Sequence, residues 1–351
     1  MKNIFTYKVP VLYMLFMLVI STACTFLITF SYLHLRNEYK KEYYTDVPSQ
    51  SFSCEYNIRR LGGYSYIKPL LYVDKNCESG AFIPMKQQVQ NIIESAKASG
   101  KLSSASVYAR DFNEGDFMAI NEDEKFKSGA LMNVPLMITY LHLDEDNKGY
   151  LDKEILFNHP TTENASIVKK GNRIEVGNKY SLKKLLEYMI VNRDEEATKL
   201  LYDNIDKKAF KKTFTDLGFA APENLSEAST ISAEDFSLFM RTLYNATYLT
   251  INNSEYATKL LCSSKNLNET DRIGIPSSVK MARDFAVNND STEKELHESS
   301  IIYVNNFPYN ITIMTKGKDN EQLSRVATQI SAIVYKGILN KSISSNNTIA
   351  K

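Results

Sequence analysis

The sequence is poor in the residues on which several functional classes depend. It has no tryptophan, only four histidines and four cysteines, and a net charge of +1, because 42 basic residues face 41 acidic ones. A balanced charge gives no basis for bulk binding to nucleic acid, which needs an excess of cations. Since the histidines are scattered and no C-x-x-C pair occurs, neither a metal site nor any other cofactor is expected.

A long stretch without charge lies near the amino terminus. Residues 9–35 carry no charged side chain, and roughly 20 apolar residues in a helix cross the ~30 Å hydrocarbon core of a bilayer. The run from Ser21 to Cys24 resembles a lipoprotein cleavage box, but Ser21 stands where an aliphatic residue is expected, and the apolar run continues past Cys24. We therefore expect an uncleaved transmembrane helix. Charge does not decide its orientation, because basic residues flank it on both sides.

The rest of the chain is typical of one folded domain of the α+β class. Apolar spacing predicts helices over residues 83–98, 130–143, 182–191, 236–243 and 321–339, and alternation predicts strands over residues 106–112, 117–120, 279–287, 299–305 and 309–315. Strands at both ends with helices between them indicate an antiparallel sheet flanked by helices, with an inserted all-α subdomain. The predicted boundaries are a short amino-terminal segment 1–8, a membrane anchor 9–35, a linker 36–63, the domain 64–340 and a tail 341–351.

Two cysteines in the exported part admit two interpretations. Cys54 and Cys77 flank a short segment, and a disulfide between them would close a loop of about 24 residues, worth on the order of 3 kcal/mol in the chain-entropy model. The alternative is two unrelated free thiols.

A tyrosine-rich stretch, residues 64–72 (YSYIKPLLY), also has two interpretations. Packing at the edge of the domain is favoured over a recognition surface.

Three segments in the middle and late chain carry a pattern of their own. The first reads F-K-S-G-A-L-M-N-V-P-L-M-I from Phe126, the second M-I-V-N-R-D-E-E-A from Met189, and the third D-F-A from Asp284, eight residues after Pro276. In order and in flanking residues they resemble the surroundings of the S-x-x-K, S-D-N and K-T-G boxes of serine β-lactamases and penicillin-binding proteins. The resemblance extends over about residues 64–338 and implies the fold of that family.

The same resemblance implies that the catalytic groups themselves are missing. The degenerate positions are Ala130 for the nucleophilic serine, Asn133 for its lysine base, Arg193, Asp194 and Glu195 for S-D-N, and Asp284, Phe285 and Ala286 for K-T-G. An alanine methyl group cannot attack a carbonyl, and an amide has no useful basicity. A four-residue gap would instead align Lys280 with the lysine of the third box, but the ungapped match preserves more of the pattern.

Charges at these positions suggest a hypothesis about the former catalytic cleft. Arg193 and Asp284 occupy positions that face each other across the cleft of the family, so they are expected to form an ion pair there, the alternative being two solvated side chains. Together, Asp194, Glu195 and Asp284 against Arg193 would make the cleft slightly acidic where active relatives are cationic.

The resulting functional prediction is a pseudoenzyme of the serine hydrolase family, anchored in the cell membrane through residues 9–35. Resemblance to cell-wall enzymes places residues 1–8 in the cytoplasm and the domain outside, where it would bind a cell-wall peptide or an envelope protein, or act as a scaffold. An enzyme of β-lactamase or peptidase type is the alternative. It would need a displaced nucleophile such as Ser128, which lies two residues before the lost nucleophile and therefore does not share its helical face. A purely structural spacer is a third possibility.

Overall fold

The computed structural model describes residues 56–75, 77–160, 173–221, 230–264, 274–289, 293–304 and 307–349, together with Thr29 and Ser31, which are helical. The chain divides into two units, Met1–Cys54 and Glu55–Lys351. All the elements named below belong to the second unit. Of the described helices, none combines the length and the apolar character needed to cross a bilayer. Apart from Thr29 and Ser31, the predicted anchor 9–35 lies outside the described residues and remains a prediction.

The strands and helices that the hydrophobic pattern predicts are present in the predicted order, among others that it does not predict. The strands are β1 (Tyr56–Arg60), β2 (Leu70–Lys75), β3 (Ser104–Asp111), β4 (Phe117–Ile120), β5 (Phe126–Lys127), β6 (Glu154–Leu156), β7 (Lys179–Ser181), β8 (Thr230–Ile231), β9 (Lys280–Asn289), β10 (Lys294–Tyr303) and β11 (Tyr309–Gly317). The helices are α1 (Ile83–Ala98), α2 (Asn133–Asp146), α3 (Leu182–Val191), α4 (Glu195–Asn204), α5 (Lys207–Leu217), α6 (Ala233–Tyr244), α7 (Ile251–Cys262) and α8 (Asn320–Ile349).

The centre of the domain is a five-stranded antiparallel sheet in the order β4-β3-β11-β10-β9. Helices α1 and α8 pack on one face around a core that includes Val89, Ile313 and Ile330. The other face is covered by the helical subdomain formed by α2 to α7, whose core includes Leu136 and Phe239. The predicted α+β architecture with a helical insertion is therefore confirmed.

The helix that carries the first degenerate box begins later than its apolar pattern predicts. Residues Gly129–Met132 form a 3-10 turn, and the α-helix starts at Asn133. Pro135 has no N–H to donate to the carbonyl four residues earlier and its ring clashes with that carbonyl. The chain before it is therefore wound in the tighter form, with the Asn133 N–H bonded to the Ala130 oxygen.

Both ends of the folded unit differ from the predicted boundaries. The predicted linker 36–63 contains β1, which pairs with β2 and is fastened to the domain by Arg59, whose guanidinium donates to carbonyl oxygens at the end of α5. The predicted tail 341–351 is helical through Ile349. Its first residue, Lys341, is held by carboxylates of the β3–β4 turn. Neither anchoring contact has a signature in the local sequence pattern.

Candidate functional site

The position of the lost nucleophile lies on the 3-10 turn that packs against β9. Ala130 is half-buried, and its neighbour Gly129 has a φ of 53°, which favours glycine. A Cβ on Gly129 would lie 2.5 Å from Oδ1 of Asn288, on β9. Asn288 also donates to the Lys127 oxygen at 3.1 Å. Asn133, at the position of the base, is 4% exposed on the first turn of α2. The turn therefore keeps its place beside the edge strand, but presents a methyl group and an amide.

The second box forms the loop between α3 and α4. Arg193 has a φ of 58°, a conformation that non-glycine residues seldom adopt. Directly after it, Asp194 caps α4 by accepting from the N–H groups of Glu196 at 2.9 Å and Ala197 at 3.2 Å. The loop thus turns the arginine toward the sheet while the aspartate faces the helix end.

An ion pair joins this loop to the third box. The Nη1 of Arg193 donates to Oδ1 of Asp284, with side-chain exposures of 11% and 1%. The Nη2 of the same guanidinium donates to the backbone oxygen of Phe285, and its Cζ lies 4.4 Å from the centre of the Phe285 ring. The predicted pair is therefore present, and the arginine is held by an anion, a carbonyl and an aromatic face at once.

The buried carboxylate of Asp284 depends on Arg193 for most of the interactions that offset the cost of burying its charge. Burial raises the pKa of Asp284, and the charge and hydrogen bond of Arg193 oppose that rise only in part. The second oxygen, Oδ2, has no hydrogen-bond partner among the described residues. Asp284 shares its face of β9 with the buried Ala282 and Ala286, toward the helical subdomain. A charge in such a place is costly unless it is paired.

The remaining box residues do not form the acidic cleft that their charges suggest. Glu195 is exposed on the first turn of α4, whereas Asp194 and Asp284 are buried and already engaged. Ser128, the candidate displaced nucleophile, is 0% exposed. A substrate carbonyl therefore has no direct access to its hydroxyl. Lys280, the alternative match for the third box, lies at the start of β9 with its ammonium 5.1 Å from the ring of Tyr303.

Asp194 has a structural role at the start of α4. Besides the two cap bonds, its Oδ2 accepts from the Ile174 N–H at 2.6 Å, so it also fixes the segment before β7. Burial raises the pKa of this carboxyl, and the three backbone N–H groups counteract the rise. Asp206 caps α5 with the same two bond types, to Lys208 and Ala209, but is exposed and has no third bond of this kind.

The pair of caps permits a matched test. We expect Asp206→Ala to lower the free energy of unfolding by about 1 kcal/mol, the usual loss for a helix cap. Asp194→Ala should lower it by about 2–3 kcal/mol, because a buried N–H is left unsatisfied as well. Urea unfolding of both variants measures the difference, and equal losses would show that the Ile174 bond contributes nothing.

Several polar contacts near the site were not predicted from the sequence. Glu295 is 4% exposed and accepts from the Lys127 N–H at 3.1 Å and from Nε2 of His297 at 3.3 Å. Elsewhere, Asp74 pairs with Arg110 at 2.9 Å and Arg241 at 2.7 Å. Apart from Glu295 and His297, these partners are far apart in sequence, so no local pattern links them.

Acidic side chains meet in one group among the described residues, formed by Asp111, Glu114 and Asp116. The ammonium of Lys341 lies among them, 2.7 Å from Asp111 and 2.8 Å from each of the other two. Burial lowers the pKa of this lysine, but the three carboxylates outweigh that effect and raise it overall. The lysine thus supplies the cation that such a group would otherwise attract.

The predicted disulfide is only half described. Cys77 is disulfide-bonded, whereas Cys54 lies outside the described residues, so the pairing of the two remains a prediction. Cys262 is a free thiol.

Comparison with solved structures identifies the fold. A β-lactamase from Chitinophaga pinensis is 16% identical, with a TM-score of 0.63 over 72% of this chain and 98% of that one. A β-lactamase from Burkholderia phymatum is 15% identical, with a TM-score of 0.61 over 74% and 100%. PBP-A is also 15% identical, with a TM-score of 0.60 over 72% and 95%. At such identities the likeness concerns the fold alone.

Comparison at the level of sequence gives the family. No match was found among curated proteins. The model of the Beta-lactamase enzyme family matches residues 84–338, which include all three degenerate boxes and the sheet that carries them. The chain therefore belongs to the Beta-lactamase enzyme family.

Proposed function

We propose that this chain is a membrane-anchored, extracytoplasmic pseudoenzyme that uses the fold of its family as a binding or scaffolding module at the cell envelope. The observation that carries the proposal is the Arg193–Asp284 pair, which joins the positions of the second and third boxes. Residues that would relay a proton and hold a substrate carboxylate are bonded to each other instead.

The chemistry of acyl transfer makes each loss decisive. A serine hydrolase needs a nucleophile, a base that takes its proton, and groups that hold the substrate against both. Here the first two positions are Ala130 and Asn133. Loss of a single member of such a unit typically lowers the rate by about six orders of magnitude. The alternative, a residual hydrolase that uses Ser128, is disfavoured by the complete burial of that side chain.

The location rests on the sequence. Residues 9–35 contain no charge and are long enough to span a bilayer, and relatives whose names include β-lactamase and penicillin-binding protein suggest the outer side. The partner chemistry proposed here is a cell-wall peptide or an envelope protein. Nothing in the charge balance favours nucleic acid.

Binding without turnover is the expected behaviour. A cell-wall stem peptide that ends in two D-alanine residues should bind the full chain saturably, as measured by fluorescence anisotropy. The bound peptide should remain intact because no nucleophile faces it. Glu195→Gln is a suitable companion variant, since it removes the exposed charge of the box and should change affinity without creating activity. Release of D-alanine by either protein would contradict the proposal.

A further inference from the structure

Among the described residues, exposed large apolar side chains are concentrated in the amino-terminal hairpin, residues 56–75. Strands β1 and β2 pair with each other and are separate from the five-stranded sheet. Around the turn that joins them, Tyr66 is 99% exposed, Ile67 59% and Tyr64 52%. Single exposed apolar residues are ordinary, but three within four positions of one loop mark an interaction surface. The stretch 64–72 therefore packs only at its end, through Leu71, which is fully buried, and Tyr72, which is half-buried against the core.

The hairpin is held firmly enough to present this loop. Arg59 donates to the oxygens of Asp216 at 3.0 Å and Thr215 at 2.7 Å, and the Tyr72 hydroxyl donates to the Leu217 oxygen at 2.8 Å. These three carbonyls lie at the carboxyl end of α5, where a cation is favoured. The hairpin and α5 thus form one continuous part of the surface.

That part of the surface is cationic. The segment 56–73 contains Arg59, Arg60 and Lys68 and no acidic residue. Helix α5 adds four lysines in its first two turns, all exposed: Lys207, Lys208, Lys211 and Lys212. Of these four, only Lys212 forms an ion pair within the described part of the chain, with Asp216 at 2.5 Å. The chain as a whole is nearly neutral, so this local excess is a feature of the hairpin and α5.

From this combination we infer that the hairpin tip docks on the surface of an anionic lipid bilayer, with Tyr64, Tyr66 and Ile67 in the headgroup region and the lysines and arginines of the hairpin and α5 attracted to the lipid phosphates. Tyrosine is favoured at membrane interfaces, because its ring is apolar and its hydroxyl polar. Nearby basic residues each strengthen attraction to an anionic surface. A soluble phosphate polymer would satisfy the cations but would leave the three apolar side chains in water.

The position of the hairpin in the chain agrees with this occupant. It begins at Tyr56, about 20 residues after the predicted anchor, and an extended chain of that length reaches at most about 70 Å. This supporting argument rests on the proposed function, whereas the argument from charge and exposure does not. The hairpin would orient the domain on the membrane independently of the degenerate boxes.

The absence of tryptophan from the chain provides a direct test. Tyr66→Trp places a single fluorescent reporter at the tip. Val287→Trp places one at a 42% exposed site on β9, which is an edge strand of the five-stranded sheet. The hairpin contacts this sheet through β3, next to the opposite edge. The full chain is mixed with vesicles of phosphatidylglycerol or of phosphatidylcholine that contain a headgroup-labelled nitroxide lipid. We expect the Tyr66→Trp emission to be quenched in phosphatidylglycerol vesicles only. The Val287→Trp emission should change little in either.

Charge variants complete the test. Lys68→Gln with Lys211→Gln should lower the ratio of docked to free hairpin about 25-fold, at roughly fivefold per cation. Lys97→Gln with Lys101→Gln removes the same charge from exposed positions at and just after the end of α1 and should have little effect.

Equal quenching in both lipids, equal quenching of both reporters, or no quenching would each overturn the inference. Binding of soluble polyphosphate to the protein, with no quenching of the Tyr66→Trp emission by the vesicles, would also overturn it, because the cations would then bind phosphate without a bilayer. If residues 9–35 do not anchor the chain in a membrane, the quenching of Tyr66→Trp by phosphatidylglycerol vesicles should still occur.

Discussion

Replacing Arg193 with alanine will lower the free energy of unfolding by about 3–5 kcal/mol, because it leaves a buried carboxylate without its cation. Asp284 is 1% exposed in its side chain, and the oxygen that does not contact Arg193 has no partner among the described residues. Asp284→Ala should cost less, since Arg193 remains 11% exposed and retains the Phe285 carbonyl and ring. Chemical denaturation of both variants measures the asymmetry.

The double variant and a surface pair control this prediction. Arg193→Ala in the Asp284→Ala background should cost little more, because the charge that needed compensation is gone. Lys199 and Asp203 form an exposed pair at 3.2 Å, and Lys199→Ala should cost less than about 1 kcal/mol. Additive losses at positions 193 and 284 would show that the two side chains do not depend on each other.

Acidity should reduce the penalty of Arg193→Ala. Burial raises the pKa of Asp284 above its unfolded value, and loss of the arginine raises it further. A carboxyl whose pKa is raised in the folded state lowers the free energy of unfolding at any pH above its folded pKa. This destabilisation disappears as the pH falls toward the pKa of the unfolded state, near 3.8. The difference between wild type and Arg193→Ala should therefore narrow on acidification. If the difference in the free energy of unfolding widened on acidification, the buried charge of Asp284 would not be the cause of the penalty.

Restoring the serine and the lysine alone will not restore acylation. In Ala130→Ser with Asn133→Lys the nucleophile and base are three residues apart on one face, but the Arg193–Asp284 pair still occupies the positions of the other two boxes. We expect no covalent adduct with penicillin from this double variant. Adding Arg193→Ser, Glu195→Asn and Asp284→Lys should permit an adduct, because the pair is removed and a cation for the substrate carboxylate is restored.

The comparison of these two variants is informative because loss of one member of such a unit already changes the rate by about six orders of magnitude. Mass spectrometry of each protein after incubation with penicillin measures the adduct. Acylation of the double variant would mean that the Arg193–Asp284 pair is not a barrier. A folded five-residue variant that remains unlabelled would mean that further positions have lost their function.

The sequence predicted the sheet and the helical insertion well because long periodic segments determine them. The apolar stripe of α1 is visible in local spacing, and the opposite charges at positions 193 and 284 predicted the ion pair once the boxes were aligned. In each case the information lies within one segment or within the family pattern.

What the sequence did not predict depends on contacts between distant segments. β1 has no clear alternation, and it is held by an arginine that contacts carbonyl oxygens more than 150 residues away. Lys341 was assigned to a tail because nothing nearby in sequence indicates the carboxylates at positions 111 and 116 that hold it. Asn288 and Glu295 support the turn before Ala130 through backbone groups, which leave no trace in residue pattern.

We propose that this chain has the fold of the Beta-lactamase enzyme family but has lost its acylation chemistry. Intact-mass spectrometry of the folded full chain, after incubation with a β-lactam and separately with a fluorophosphonate, is the sharpest test of this loss. We expect the unmodified mass with both reagents, because Ala130 has no nucleophilic atom and Ser128 is buried. A stoichiometric adduct with either reagent would show that the chain retains a reactive nucleophile, and peptide mapping would show whether Ser128 carries it.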